Sequence, residues 1–261
     1  MYFHLNTAVL SAILLVIVLG AAVIGMLVGR TLRSRGVERH ESFGVVQGTL
    51  LGLVGLLLAF GLTMSVGRYE ARRALVVDEA NAIGTTYLRA QLLAEPERTE
   101  SLHLLRRYTD AAVDLASKVP GTATFVSEEA RMDGLQQSLW ALAGDAVAAD
   151  PTGTAPRLYV EALNPMIDVN GSRVASLGNR VPSTVMLLQV VGSAIAVGLL
   201  SLHLALLGRG VIASLLAALL VTLILFISFD LDRPERGFIT VPRTALVNAR
   251  AAMDGEPAAG P

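Results

Sequence analysis

The chain has 261 residues, 21 Lys and Arg against 22 Asp and Glu, and 53% hydrophobic residues with only 16% charged. A soluble domain carries about 25% charged residues, and here the shortfall is concentrated: 2–29, 44–67, 181–208 and 210–229 hold no Asp, Glu, Lys or Arg. About 20 apolar residues cross a bilayer, so the chain is predicted to be a multi-pass membrane protein. With a net charge of −1, no basic block and no cysteine, nucleic-acid binding, disulfides and thiolate metal sites are excluded.

The first span is predicted over about Thr7 to Gly29, closed by the basic connector Arg30, Arg33, Arg35 and Arg39. It is too long for a signal-peptide core and lacks a basic leader and a small-residue cleavage site, so it is expected to stay in the mature chain. The second span begins near Phe43 and stays uncharged until Arg68, with no proline before Pro96. One long helix is therefore expected to leave the membrane, run to about Leu93 and stop at Glu95-Pro96. The segment 68–180 holds 12 basic and 15 acidic residues, a soluble balance. Breaks are predicted at Pro120-Gly121 and at Asp150-Pro151-Thr152-Gly153, with Leu102, Leu105, Tyr108, Ala112 and Leu115 forming one apolar face ahead of the first. Ser127, followed by Glu128 and Glu129, reads as a helix cap, and Thr154 with Pro156 starts a further piece toward Val181. No stretch alternates as a strand would, so the fold class is all-α.

The third and fourth spans, 181–207 and 210–229, are predicted to form a hairpin about Gly208-Arg209-Gly210. The expected organisation is spans one and two over 1–67, a helical domain over 68–180, spans three and four over 181–229, and a tail over 230–261. The tail's end, from Ala251, reads as disordered. Four spans place the N-terminus, the domain and the tail on one side. Basic residues flank both faces: four in the connector on one, and Arg68, Arg72, Arg73, Arg173, Arg180, Arg233 and Arg236 on the other. The positive-inside rule thus gives no single orientation.

The first, third and fourth spans are accounted for by hydrophobicity alone. The second is not, because Gly48, Gly52, Gly55 and Ala59 form a small-residue stripe suited to close helix packing. Leu56, Phe60 and Met64 stand four apart on one face. On the residues alone, contact with lipid or another helix is the simpler account, and an apolar constriction in a pore the functional one. Arg68, Tyr69, Glu70 and Arg72 suit a helix crossing the membrane interface, where arginines snorkel. Asp78, Glu79 and Asn81 follow, and two readings stay level: pairing with arginines of a neighbouring helix or subunit, or exposure to solvent. After the last span come Asp230, Asp232, Arg233, Pro234, Glu235, Arg236 and Gly237, in which local salt bridging is a simpler account than a cation site. Histidines stand isolated at 4, 40, 103 and 203, and no nucleophile elbow or phosphate loop appears. No enzyme, cofactor or metal site is predicted.

At these residues the chain resembles the bestrophin family of anion channels and its bacterial bestrophin-like relatives. That family's pattern sets a pore phenylalanine eight residues before an arginine–aromatic run. Phe60 stands eight before Arg68, and Arg68-Tyr69-Glu70-Ala71-Arg72 is similar to the run, with Tyr69 replacing the first of two tryptophans. The acidic, proline-containing motif after the last span is a second match, and the order of two spans, helical domain and two spans a third. The resemblance implies a pentamer around an axial pore lined by the second span, a neck at Leu56 and Phe60, and a helical domain in the cytoplasm. The family's upper neck position falls on Gly52, and Asp230, Asp232 and Glu235 are a shorter acidic cluster than the calcium clasp of eukaryotic members.

The expectation is an oligomeric ion channel in the inner membrane of a bacterium, passing small inorganic ions, anions rather than cations, with the lipid bilayer and further copies of itself as partners. Two other classes fit the span order. A stator-type coupling protein needs a carboxylate at membrane depth or a partner that supplies one, and a membrane-anchored sensor or scaffold would be monomeric or dimeric.

Overall fold

The computed structural model describes residues 6–35, 41–208 and 210–255. Eight helices follow in order: α1 (Thr7–Ser34), α2 (Glu41–Ala90), α3 (Glu97–Leu115), α4 (Ala123–Ala149), α5 (Thr154–Gly178), α6 (Ser183–Leu206), α7 (Val211–Leu231) and α8 (Thr244–Ala252). Among the described residues there is no strand. Four helical segments are long and apolar enough to cross a membrane. The helices fall into two compact units, Met1–Tyr69 with Arg180–Ile239, and Glu70–Asn179 with Thr240–Pro261. The C-terminal segment is thus divided between the units at 239/240.

In the first unit α1, α6 and α7 pack together. The buried positions of α1 are Leu10, Leu14, Val18, Ala22, Gly25 and Gly29, spaced three or four apart along one stripe. Lipid is as apolar as leucine, so burial from water does not hold such helices together; close van der Waals packing does. Gly25 supplies it, because a Cβ there would run into the backbone carbonyl of Gly198 on α6, and one at Gly29 would meet the Leu202 carbonyl oxygen at 2.5 Å. Hydrophobicity therefore does not account for the first span by itself. Its Gly25-x3-Gly29 pair sets the α1–α6 approach, which is readable as a small-residue motif but indistinguishable by pattern from Gly48-x3-Gly52. The hairpin between α6 and α7 turns through Gly208 and Gly210, at φ of 73° and 95°, values that favour glycine. Arg209 lies outside the described residues, as do His4, Arg39 and His40.

α1 also runs five residues beyond its predicted end, so Arg30 and Arg33 stand on the helix itself. Charge ends an apolar run but does not end a helix, and nothing in 30–34 breaks one. α2 is a single helix of 50 residues. At 1.5 Å per residue it is about 75 Å long, more than twice the hydrocarbon core of a bilayer.

The second unit packs around one core. Ile83 and Tyr87 of α2, Leu105, Tyr108 and Leu115 of α3, Met132 and Leu139 of α4, and Tyr159 and Leu163 of α5 are all buried in it. α4 starts four residues before the expected cap. Thr122 is its N-cap, accepting a hydrogen bond from the Phe125 N–H at 3.3 Å, and Ser127 sits inside the helix with its hydroxyl donating to the Thr124 carbonyl. The tail also departs from expectation at Ala251, because helix α8 runs on to Ala252. Leu246 and Met253 are buried in this core, and that packing, invisible in a small-residue composition, holds the segment. Residues 256–261 lie outside the described part.

Candidate functional site

Through the membrane unit α2 has two unlike faces. Gln47, Leu58, Gly61 and Ser65 are buried. Leu56 is 53% exposed, Phe60 59% and Met64 38%. Gly48, Gly52 and Gly55 are exposed too, and a Cβ at any of them would meet nothing within 4 Å among the described residues. The predicted packing stripe is thus unused within one chain. Glycine instead closes a contact at Gly61, where a Cβ would overlap the amide of Gln189 on α6. Gln189 is buried and donates to the Leu57 carbonyl at 3.0 Å. An intrahelical carbonyl keeps a second lone pair, so this bond ties α6 to α2 without unwinding either. The signal for it, a lone glutamine in an apolar run opposite a glycine, is weak without the register.

In the second unit the polar residues that follow the interface separate. Arg72 is buried and donates through Nη2 to the Asn179 carbonyl at 2.9 Å and through Nε to the Ser176 carbonyl at 3.4 Å, closing the C-terminal end of α5, where carbonyls lack partners. Arg73 lies 3.6 Å from Glu70 in an exposed pair worth little. Asp78 and Asn81 are exposed. Glu79 is fully buried and ion-paired with Arg173 of α5. Its carboxylate also accepts from the Asn170 amide at 2.8 Å, Asn170 accepts from Gln136 at 3.0 Å, and Gln136 reaches the Tyr108 hydroxyl at 3.3 Å. Burial, and then the Glu79 charge, push the Tyr108 phenol well above its ordinary range. Arg173, Asn170, Gln136 and Tyr108 come from three other helices, so no local pattern linked them to Glu79.

The motif after α7 is a folded turn. Asp230, Asp232, Arg233 and Pro234 are buried. The Asp230 carboxylate accepts the N–H groups of Phe238 at 3.0 Å and Ile239 at 2.9 Å, and that of Asp232 accepts the Val181 N–H at 2.8 Å. The bonds described for these acids are to backbone, which is how a carboxylate pins a turn. Glu235 takes a φ of 57° at the corner. A Cβ at Gly237 would stand 2.6 Å from Asp230 Oδ1, and the Arg236 carbonyl accepts from the Thr7 hydroxyl at 2.8 Å. Glycine is thus required where the chain passes over the aspartate. Among the described residues no group of three or more His, Asp or Glu side chains could hold a metal ion.

Four spanning helices, a helical unit between the second and third, and a buried acidic turn after the last define a multi-pass, all-helical integral membrane protein. The chain belongs to the bestrophin-like family: the pattern of the Bestrophin-like domain matches residues 14–246. Its fold is similar to that of a bacterial bestrophin homologue from Klebsiella pneumoniae, at 16% identity and a TM-score of 0.70 over 92% of this chain and 96% of that one. A tryptophan-to-alanine variant of the Klebsiella pneumoniae homologue is similar at 15% identity and a TM-score of 0.72, over 96% and 97% of the two chains. A comparison with curated protein sequences finds no match.

Proposed function

We propose that the chain is one subunit of an oligomeric ion channel in which α2 lines the conduction path and Leu56, Phe60 and Met64 form its narrow apolar stretch. The observation that carries this reading is the character of the free face of α2. The exposed surface of α7 is uniformly aliphatic, with Ile212, Leu216 and Leu220 each more than half exposed, as a lipid-facing helix should be. The exposed surface of α2 instead mixes Gly48, Thr49, Gly52, Gly55, Ala59 and Thr63 with the three large apolar residues. Small and hydroxyl residues suit a neighbouring helix or water better than acyl chains.

Gly48, Gly52, Leu56, Phe60 and Met64 follow one another at intervals of four, so a path along this stripe is wide at the glycine end and narrow at Phe60. Apolar side chains at such a neck gate by dewetting. No carboxylate lies within 44–67 while Arg68 stands at its end, which favours anions over cations. Family resemblance supplies the expected number of subunits, five, and a bacterial inner membrane as the location. The chain would act by passive conduction, with no catalytic step and no cofactor.

The test is flux through the purified protein in liposomes, with anion and cation gradients compared. Phe60→Ala is expected to raise flux several-fold by opening the neck. No flux of either ion from wild type or variant would overturn the reading, as would a monomer or dimer with no central axis in averaged particle images.

A further inference from the structure

A cavity of the membrane unit lies where α1 and α6 end and α7 begins, at the end of the bundle opposite the acidic turn. It measures about 390 Å³ and is lined by Arg30, Arg33, Ser201, Gly208, Val211 and Ser214 among others. We infer that this cavity binds a phosphate group at the membrane interface.

Three independent features point to a multivalent oxyanion. Arg30 and Arg33 stand one turn apart on α1, and neither pairs with a carboxylate among the described residues. The Arg33 guanidinium lies against Gly208, where a Cβ would displace it, so the turn is shaped around this side chain. Guanidinium forks match phosphate oxygens two at a time. The second feature is α7, which opens on Gly210 with no side-chain cap. Its first N–H groups have no acceptor within the helix and carry the positive end of the helix dipole.

The third is a pair of hydroxyls. Ser201 is 0% exposed and Ser214 1%, both line the cavity, and neither Oγ has a hydrogen-bond partner among the described residues. A buried hydroxyl without a partner is destabilising, and an anion's lone pairs in the cavity would satisfy both. A halide has no directional oxygens to engage two forks and two hydroxyls together. Beside these donors the wall is apolar, with Met26 and Ile212, which fits a phosphate carrying a glycerol and acyl chains as well as a free one.

Full-length protein stripped of lipid in detergent should be titrated with inorganic phosphate and, separately, with phosphatidylglycerol, with a phosphate-free glycolipid as control. Binding is read by native mass spectrometry and by the shift in melting temperature. Saturable binding of phosphatidylglycerol alone assigns the site to a lipid headgroup, and binding of inorganic phosphate that competes with it assigns the site to the free ion; either supports the inference. Arg30→Gln with Arg33→Gln is expected to weaken binding at least tenfold. Ser201→Ala with Ser214→Ala keeps every charge and is expected to weaken it several-fold, which diffuse surface attraction would not. Binding of neither probe, or equal binding by wild type and both double variants, overturns the inference. Ion flux does not enter the readout, so failure here is distinguishable from failure of the channel reading.

Discussion

Glu79 and Arg173 are both buried in the second unit, and each is the other's charge partner. Replacing a buried ion pair by apolar residues of similar volume is often harmless, whereas removing one partner strands a charge and costs about 3–5 kcal/mol. Glu79→Gln should therefore lower the melting temperature of the helical unit markedly. The double change Glu79→Met with Arg173→Leu should recover a large part of the loss, and thermal unfolding of wild type and the two variants checks it. Tyr108 gives a pH prediction. Its folded pKa is raised, so the unfolded chain releases that proton first as pH rises. The stabilisation is complete below the unfolded value near 10 and is lost as pH climbs above it; Tyr159, raised by its own burial, acts in the same direction. Tyr108→Phe should shift the alkaline unfolding midpoint upward, and pH-dependent circular dichroism measures it.

At the scale of the helix, two identical motifs have opposite fates. Gly25-x3-Gly29 closes the α1–α6 contact through backbone, while Gly48-x3-Gly52 faces open space within the chain. A backbone carbonyl cannot rotate away as a side chain can. Gly25→Ala should thus force α1 and α6 apart at a cost of about 1–3 kcal/mol, the usual range for overpacking. Gly52→Ala should leave the melting temperature of an isolated subunit unchanged and alter only assembly or flux, measured by native mass and liposome assay. Spacing makes both motifs legible in the sequence but gives no partner to either. The continuity of α2 was legible for a different reason: an apolar run continues as helix where no proline interrupts it, and none stands in 41–90. The cap of α4 was not, because Thr122 and Ser127 are both acceptable cap residues and packing of Phe125 into the core selects the earlier one.

Over the whole chain, the last described helix belongs to the soluble-type unit, although it follows the membrane spans. The Met253 carbonyl accepts from Tyr87 at 3.1 Å and from Arg106 at 2.8 Å, and Leu246 fills the core beside them. Truncation before Thr244 should unfold or aggregate the helical unit even though 243 residues remain, because it opens a cavity and takes the acceptor from the buried Tyr87 hydroxyl. Limited proteolysis and thermal unfolding of the truncated protein check this, and resistance equal to wild type would contradict it.

Hydrophobicity and the placement of charge are properties of single residues, so the sequence alone determined the class of protein: spanning helices, their order, and a helical domain between the second and third. The motifs behind the family resemblance are equally local, Phe60 eight before Arg68 and the acidic turn at Asp230. Only the tertiary structure decided which polar residue met which. Glu79 and Arg173 are 94 apart in the chain, Asp232 and Val181 51, and such contacts carry no periodicity to read. The cavity of Arg30, Arg33, Ser201 and Ser214 is of the same kind, since it exists only where three helix ends converge.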